Sequence, residues 1–501
     1  MVFSSIIFLC VFLPVMLIGF YLLPKKAKNV WLLIGSLFFC AFGSPQGFLI
    51  LAASVAGNYL LTLLIAKLAD EKGHKVSQKL VLAAAVLFNL GLLIYFKYFT
   101  LLCTTVNDLF SASITIGEII LPIGISFYTF QAMSYLIDVY RYEGMPYKPS
   151  DKGMQRYCCA DTGEAVSIVE RNPINYALYI TFFPQILQGP IVRYHEMRDK
   201  LHDSGATLTE LSEGIERFIV GLAKKALIAN TLGEVADSIM GCDPAIMGTS
   251  VAWLGAICYT LQIYFDFSGY SDMAIGLGEM FGFKLPENFN YPYISRSITE
   301  FWRRWHITLS SWFRDYLYIP LGGNRSGNVY VNLLIVFLAT GIWHGAAWGF
   351  LVWGLWHGLF MLIERALKGR NLGIKIPGII KWIYSMLVVT LGWVLFKLED
   401  LPTALSYIGV MFHTSSHEYN AFSIMYYLDS KLVCVMIIAV IAMIPWAQIL
   451  PRHIAAYIAD FASSDRIGFV VARRAALIVL LLLSFVFVVN NTYSPFIYFQ
   501  F

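Results

Sequence analysis

The chain has 501 residues, of which 58% are hydrophobic, 16% aromatic and only 14% charged, and its mean hydropathy is +0.65. This balance excludes a soluble globular domain and predicts an all-α polytopic membrane protein. A net charge of +4 is too small to argue for a nucleic-acid partner, and the surplus of Lys and Arg belongs in cytoplasmic loops.

Apolar stretches of helical length open the chain at 3–23, 29–43, 47–67, 79–103 and 119–140. The first, within MVFSSIIFLCVFLPVMLIGFYLLPKK, has no basic residue ahead of it and lysines behind it. That pattern predicts a first transmembrane helix with its N-terminus outside, not a cleaved signal peptide. The connections Pro24–Asn29, Lys67–Lys79 and Arg141–Arg171 are rich in Lys and Arg and are placed inside. Gly43–Gly47 and Thr104–Glu118 carry neither residue and are placed outside.

The alternation breaks at Ile174–Tyr194, which is long enough to span but contains Pro184 and the Gly189–Pro190 pair. Arg171 precedes it, and Arg193, Arg198 and Lys200 follow. A re-entrant or broken segment satisfies both facts, because irregular backbone is tolerated where protein buries it or it lines a cavity. A simple Pro-kinked helix is the alternative. After spans at 214–240 and 250–281, residues 286–325 are too charged for a lipid-facing helix, and are expected at the interface or along a cavity. Ser297 or Thr299 ahead of Glu300 predicts the cap of a helix carrying Trp302, Trp305 and His306. Arg314 and Asp315 are sequence neighbours, so they are expected to point apart and seek other partners. Gly322–Gly323–Asn324 ends that element.

Spans at 329–348, 349–367, 376–397, 431–450 and 473–490 complete the set, and Arg473–Arg474 place the tail Tyr493–Phe501 outside. Of the eight Cys, Cys10, Cys40, Cys103, Cys258 and Cys434 lie in or beside apolar runs and act as small hydrophobes. Cys158–Cys159 sits in a polar loop, and no second pair completes a metal set, so neither a structural metal nor a disulfide framework is expected. With no repeat, low-complexity tract or long linker, 1–501 reads as one membrane domain. It has N-terminal helices over about 1–140, a central part over 174–367, and C-terminal helices with an outer tail over 376–501.

His306 and His344 stand out inside this apolar, aromatic background. An ionisable group is costly to desolvate there and marks a functional site by default. A neutral imidazole is a ready general base, since its ordinary pKa of about 6.5 lies near working pH. The structural alternative is a core histidine bonded to a backbone carbonyl. His357 reads as such a packed, satisfied core histidine.

WRRWHITLSSWFRDYLYIPLGGNR followed by TGIWHGAAWGFLVWGLWHG resembles the membrane-bound O-acyltransferase superfamily, in its bacterial branch around the alginate O-acetylation proteins. The likeness extends through LPIGISFYTFQAMSYLIDVYR, FFPQILQGPIVRY, YFDFSGYSDMAIGLGEMFGFKLPENFNYPY and the terminal YSPFIYFQF. It implies a ring of about 11–13 tilted transmembrane helices, with re-entrant segments, around a central funnel. Residues 174–367 would be the catalytic core. The acyl donor, acetyl-CoA, would approach from the cytoplasm and the acceptor from outside, across a bacterial inner membrane with both termini outside. The family's invariant histidine matches His344, and its second histidine position matches His306. The loop Glu143–Asn172, with MQRYCCADTGEAVSIVE, matches no family element.

Acetyl transfer to a hydroxyl needs the acceptor proton removed and the tetrahedral oxyanion stabilised. His344 is assigned the general base, and His306 orients a substrate or shares the proton. No carboxylate stands within a helical turn of His344, leaving Asp315 or Asp266 as partners from elsewhere, each read first as an ion-pair or helix-packing residue. Arg303, Arg304, Arg314 and Arg325 match donor phosphates bidentately, or snorkel at the membrane surface. Trp305 and Trp343 are candidate substrate-site residues, while Trp343, like Trp348, Trp353 and Trp356, also reads as a packing wall or interface residue; Gln188 with Arg193 shapes the inner mouth or serves structure alone. Tyr498 or Ser494 in the tail is a candidate acyl relay, the alternative being aromatic anchoring. The expected partner is an extracytoplasmic SGNH-type acetyltransferase. A D-alanyl-type transferase fed by an acyl carrier protein and a non-catalytic acyl or lipid transporter are the competing readings.

Overall fold

A computed structural model of the chain describes residues 1–70, 75–115, 117, 119, 121–143, 167–369, 376–413, 423–450 and 467–490. Among them every regular element is helical. Five helices are long and apolar enough to cross a membrane: Pro45–Ala69, Lys75–Phe110, Trp348–Lys368, Gly378–Lys397 and Gly468–Asn490. Shorter apolar helices run over Phe8–Leu22, Val329–His344, Leu401–Phe412 and Ser430–Ala442. Large aliphatic side chains such as Leu22, Leu60, Leu109 and Leu482 point outward, which suits lipid rather than water. The chain is an all-α multi-pass membrane protein, as its composition predicts.

The helices gather into two compact units, Met1–Ile215 with Ala274–Pro286, and Glu216–Met273 with Glu287–Phe501. In the first, Lys25–Gly43 packs against the helices Leu13–Leu22, Pro45–Asp70 and Pro173–Thr181. Pro45–Asp70 pairs with Lys75–Leu93, and both pack on Ile125–Tyr142. Asn58 and Asn89, both fully buried, exchange amide hydrogen bonds of 3.1 and 2.6 Å across that pair. Two amides bonded to each other satisfy polar groups that lipid or core cannot.

The Ile174–Tyr194 stretch is broken, not a continuous kinked helix. Asn172 caps the helix Pro173–Thr181 by accepting from Ile174 N–H at 3.0 Å. The chain then turns through Phe182–Arg193, wholly buried. The helix Tyr194–His202 opens with Glu196 accepting the Arg193 N–H at 2.7 Å. Gly124, at φ 74°, lies so close to Ile186 O that no Cβ fits, so the first residue before Ile125–Tyr142 must be glycine on two counts.

The second unit is built on the hairpin Val329–His344 and Trp348–Gly369, which packs on Gly378–Lys397 and through it on Leu401–Phe412. A Cβ on Gly341 would stand 2.5 Å from Phe350 O, and one on Gly354 would overlap Phe337 O. Both glycines therefore hold the hairpin at backbone contact. The 214–240 span begins at Leu208 and contains a π-helical turn, Lys224–Ala229. There Lys225 meets Asp266 at 2.5 Å with both side chains buried. Three boundaries differ from expectation. The 431–450 span stops at Ala442. Leu401–Phe412, capped by Asp400 on Thr403 N–H, is a further apolar helix, only 12 residues long. The charged region over 298–313 forms two seven-residue helices, not one.

Candidate active site

His306 sits at the break between those two helices. Ser297 caps Ile298–Arg304 by accepting from Glu300 N–H at 3.0 Å, and Trp305 ends it. His306 then adopts φ 44° and ψ 56° and starts Ile307–Phe313. A left-handed histidine costs of order 1 kcal/mol or more and persists only where its surroundings impose it. Here they do. Asn288 anchors the turn through its backbone, accepting Ile307 N–H at 2.9 Å, and through its side chain.

The His306 ring is fully buried. Its Nδ1 lies 3.0 Å from Asn288 Oδ1, an oxygen that also accepts Thr308 Oγ1 at 2.9 Å and Thr308 N–H at 3.3 Å. Asn288 Nδ2 donates to Ser271 Oγ at 3.2 Å. Phe267 meets the imidazole edge-on at 4.8 Å between centroids, and Trp343 lies 6.0 Å away. Among the described residues His306 Nε2 has no hydrogen-bond partner. His306 is outside the candidate membrane spans, and burial pushes its imidazole down to about 3, so the ring is neutral.

His344 is the last residue of Val329–His344 and is buried. Its ring packs on Trp343 and Trp353, each at 4.9 Å, and on Phe396 at 5.3 Å. Trp343 therefore touches both imidazoles. His357 is fully buried beside Trp302 at 5.2 Å, Trp353 at 5.3 Å and Phe301 at 6.2 Å. Neither of its ring nitrogens has a hydrogen-bond partner among the described residues. It is a packed core histidine, as expected, but not a satisfied one.

Other predicted residues fall elsewhere. Trp305 is buried in an aromatic core, 4.8 Å from Trp393 and 5.0 Å from Phe289. Arg303, Arg314 and Arg325 are exposed. Arg304 bonds Glu300 at 3.0 Å and Asn290 O at 3.1 Å. Arg314 and Asp315 do not point apart; Arg314 Nε donates to Asp315 at 2.7 Å. They stand in a π-helical turn, Arg314–Tyr318, where wider spacing relaxes the expected divergence. Asp266 and Asp315 thus have basic partners, Lys225 and Arg314. Gln188 and Arg193 are buried in the first unit. Tyr498, Ser494 and Cys158–Cys159 lie outside the described residues. Among the described residues no group of three His, Cys, Asp or Glu side chains is placed to hold a metal ion.

Asn288 carries no local signal in the sequence, because it stands 18 residues before the histidine it bonds. The stretch 108–398, which contains both histidines and Asn288, matches the family model described as MBOAT, membrane-bound O-acyltransferase family. The whole chain is 38% identical, over 515 aligned residues and the full length of both chains, to the probable alginate O-acetylase of Pseudomonas putida. It is 34% identical to the peptidoglycan O-acetyltransferase of Helicobacter pylori, covering all of this chain and 98% of that one. The teichoic acid D-alanyltransferase of Bacillus subtilis is 35% identical over 36% of this chain and 48% of its own.

Proposed function

The chain belongs to the membrane-bound O-acyltransferase family, and we propose that it moves acetyl from cytoplasmic acetyl-CoA across a bacterial inner membrane to an outer hydroxyl acceptor. It is an O-acetyltransferase. The product would be an O-acetylated extracytoplasmic polysaccharide, reached through an SGNH-type partner, with both termini of this chain outside. Full-length likeness to acetylases of alginate and peptidoglycan supports acetyl as the group moved. The likeness to the D-alanyl transferase covers only 36% of the chain, which favours acetyl-CoA over a charged carrier protein.

The observation that carries the reading is a pair of buried imidazoles, His306 and His344, both in ring contact with Trp343. The acceptor oxygen attacks the thioester carbonyl, a C–O bond forms, and the C–S bond breaks. The hydroxyl proton passes to His344 as general base and ends on the departing thiolate, a step for which such a base contributes roughly 10²–10⁴-fold. His306 orients the acceptor. Arg303, Arg304 and Arg314 offer guanidinium groups to the donor phosphates. Tyr498 would relay the acyl group on the outer side.

The test is transfer of radiolabelled acetyl from acetyl-CoA by the purified protein in liposomes. His344→Gln is expected to abolish turnover while the protein remains folded. Transfer at the normal rate by that variant would overturn the assignment of His344 as general base. Partial, pH-shifted flux of an acylated molecule would favour the transporter, and labelling only from a charged carrier protein would favour the D-alanyl type.

A further inference from the structure

We propose that Asn288 is a positioning residue, which fixes His306 in the tautomer that presents a bare Nε2 lone pair to the O–H of the acceptor hydroxyl. This rests on the acetyl-transfer reading above and assigns the substrate that His306 holds.

The tautomer follows from the Asn288 amide. Its oxygen faces the backbone N–H of Thr308, which can only donate. Flipping the amide would set two donors against each other, so the atom facing Thr308 and His306 is the oxygen. Nδ1 of His306, 3.0 Å from that oxygen, must then carry the proton. A neutral imidazole has one N–H, so Nε2 is left as a pure acceptor. It is buried with no partner among the described residues, and an unmet buried acceptor is costly unless a ligand supplies a donor. A hydroxyl can supply one. A thioester carbonyl or a phosphate oxygen cannot, since each is itself an acceptor.

The strained backbone of His306 points the same way, because the Asn288 side chain and backbone hold both the ring and the turn that carries it. Among the described residues Asn288, Phe267 and Trp343 meet the ring, and none of these three is ionisable. The carboxylates nearest Phe267 in sequence are engaged elsewhere, Asp266 with Lys225 and Asp272 with Lys224 and Arg217. Asn288 therefore sets the proton on Nδ1.

The full-length protein in liposomes is assayed with acetyl-CoA and a soluble oligosaccharide bearing free secondary hydroxyls. Asn288→Leu and the smaller Asn288→Ser are expected to lower kcat by roughly tenfold or more, with KM for acetyl-CoA unchanged. Asn288→Asp keeps an acceptor for both Nδ1–H and Thr308 N–H, and is expected to restore kcat. Size-exclusion profiles confirm folding, with Asn288→Ser serving if Asn288→Leu does not assemble. Normal kcat in a folded Asn288→Ser protein would overturn the proposal, as would an Asn288→Asp protein no better than Asn288→Ser. His306→Gln and His344→Gln are run alongside. If the unaltered protein moves no acetyl from acetyl-CoA, the acetyl-transfer reading itself fails; if the histidine variants retain turnover, the two histidines are not its catalytic pair. If they lose it while Asn288→Ser keeps it, only the tautomer assignment fails.

Discussion

An imidazole acts on a hydroxyl only when it is neutral and one nitrogen is bare, and a buried histidine reaches that state through the partner of its other nitrogen. His306 has such a partner in Asn288; among the described residues His357 has none on either nitrogen. That contrast separates two histidines that look alike in sequence, each within an aromatic, apolar run. His357→Leu removes two buried nitrogens that bond nothing among the described residues, so it is expected to leave acetyl transfer at the normal rate. Its thermal midpoint should stay level or rise, because no hydrogen bond is lost with the ring. A drop in transfer at constant folded yield would show that His357 works on the reaction. Both candidate histidines are legible in the sequence because a titratable group in apolar surroundings demands a reason. Asn288 is not, since an amide in NFNYPY has no periodicity or spacing that ties it to a turn 18 residues later.

At the scale of elements, hydropathy found the long helices and missed what backbone geometry decides. Leu401–Phe412 is apolar but only twelve residues long, shorter than a membrane-spanning helix. The split of 298–313 into two helices puts His306 at a cap rather than mid-helix; only a contact such as Asn288 with Ile307 and Thr308 can impose that break. The hairpin behind His344 shows the same dependence on close packing. Gly354 sits where Phe337 O leaves no room for a Cβ, and Gly341 faces Phe350 O. Gly354→Leu would force the helices apart at a point where the backbone itself is the obstacle. It is expected to destabilise by about 1–3 kcal/mol or more, seen as a lower thermal midpoint in detergent. Transfer should fall with it, because Trp343 and His344 stand at the end of one helix and Trp353 on the other. An unchanged midpoint would mean the hairpin is not held at backbone contact.

For the molecule as a whole, the sequence speaks through charge where the structure speaks through packing. The first five apolar stretches alternate between connections with and without Lys and Arg, and this fixes a proposed orientation with the N-terminus outside. The irregular regions at Phe182–Arg193 and 286–325 interrupt that alternation because their backbone is buried by protein or broken into short helices, so charge no longer reports on side. Lys25, Lys26 and Lys28 form the first basic cluster, directly after the helix Leu13–Leu22. Each such residue near an anionic inner leaflet contributes about 1 kcal/mol to its placement. Fusions ending in the Pro24–Asn29 connection should give fluorescent cytoplasmic reporter and inactive alkaline phosphatase. Fusions ending within Gly43–Gly47 should give the opposite, and those within Lys67–Lys79 should return to the first pattern. Replacing the three lysines by Gln should mix the two patterns at the first connection while leaving the third intact, since later basic connections still anchor the chain. If fusions at Gly43–Gly47 report a cytoplasmic location with the lysines in place, the proposed orientation is reversed.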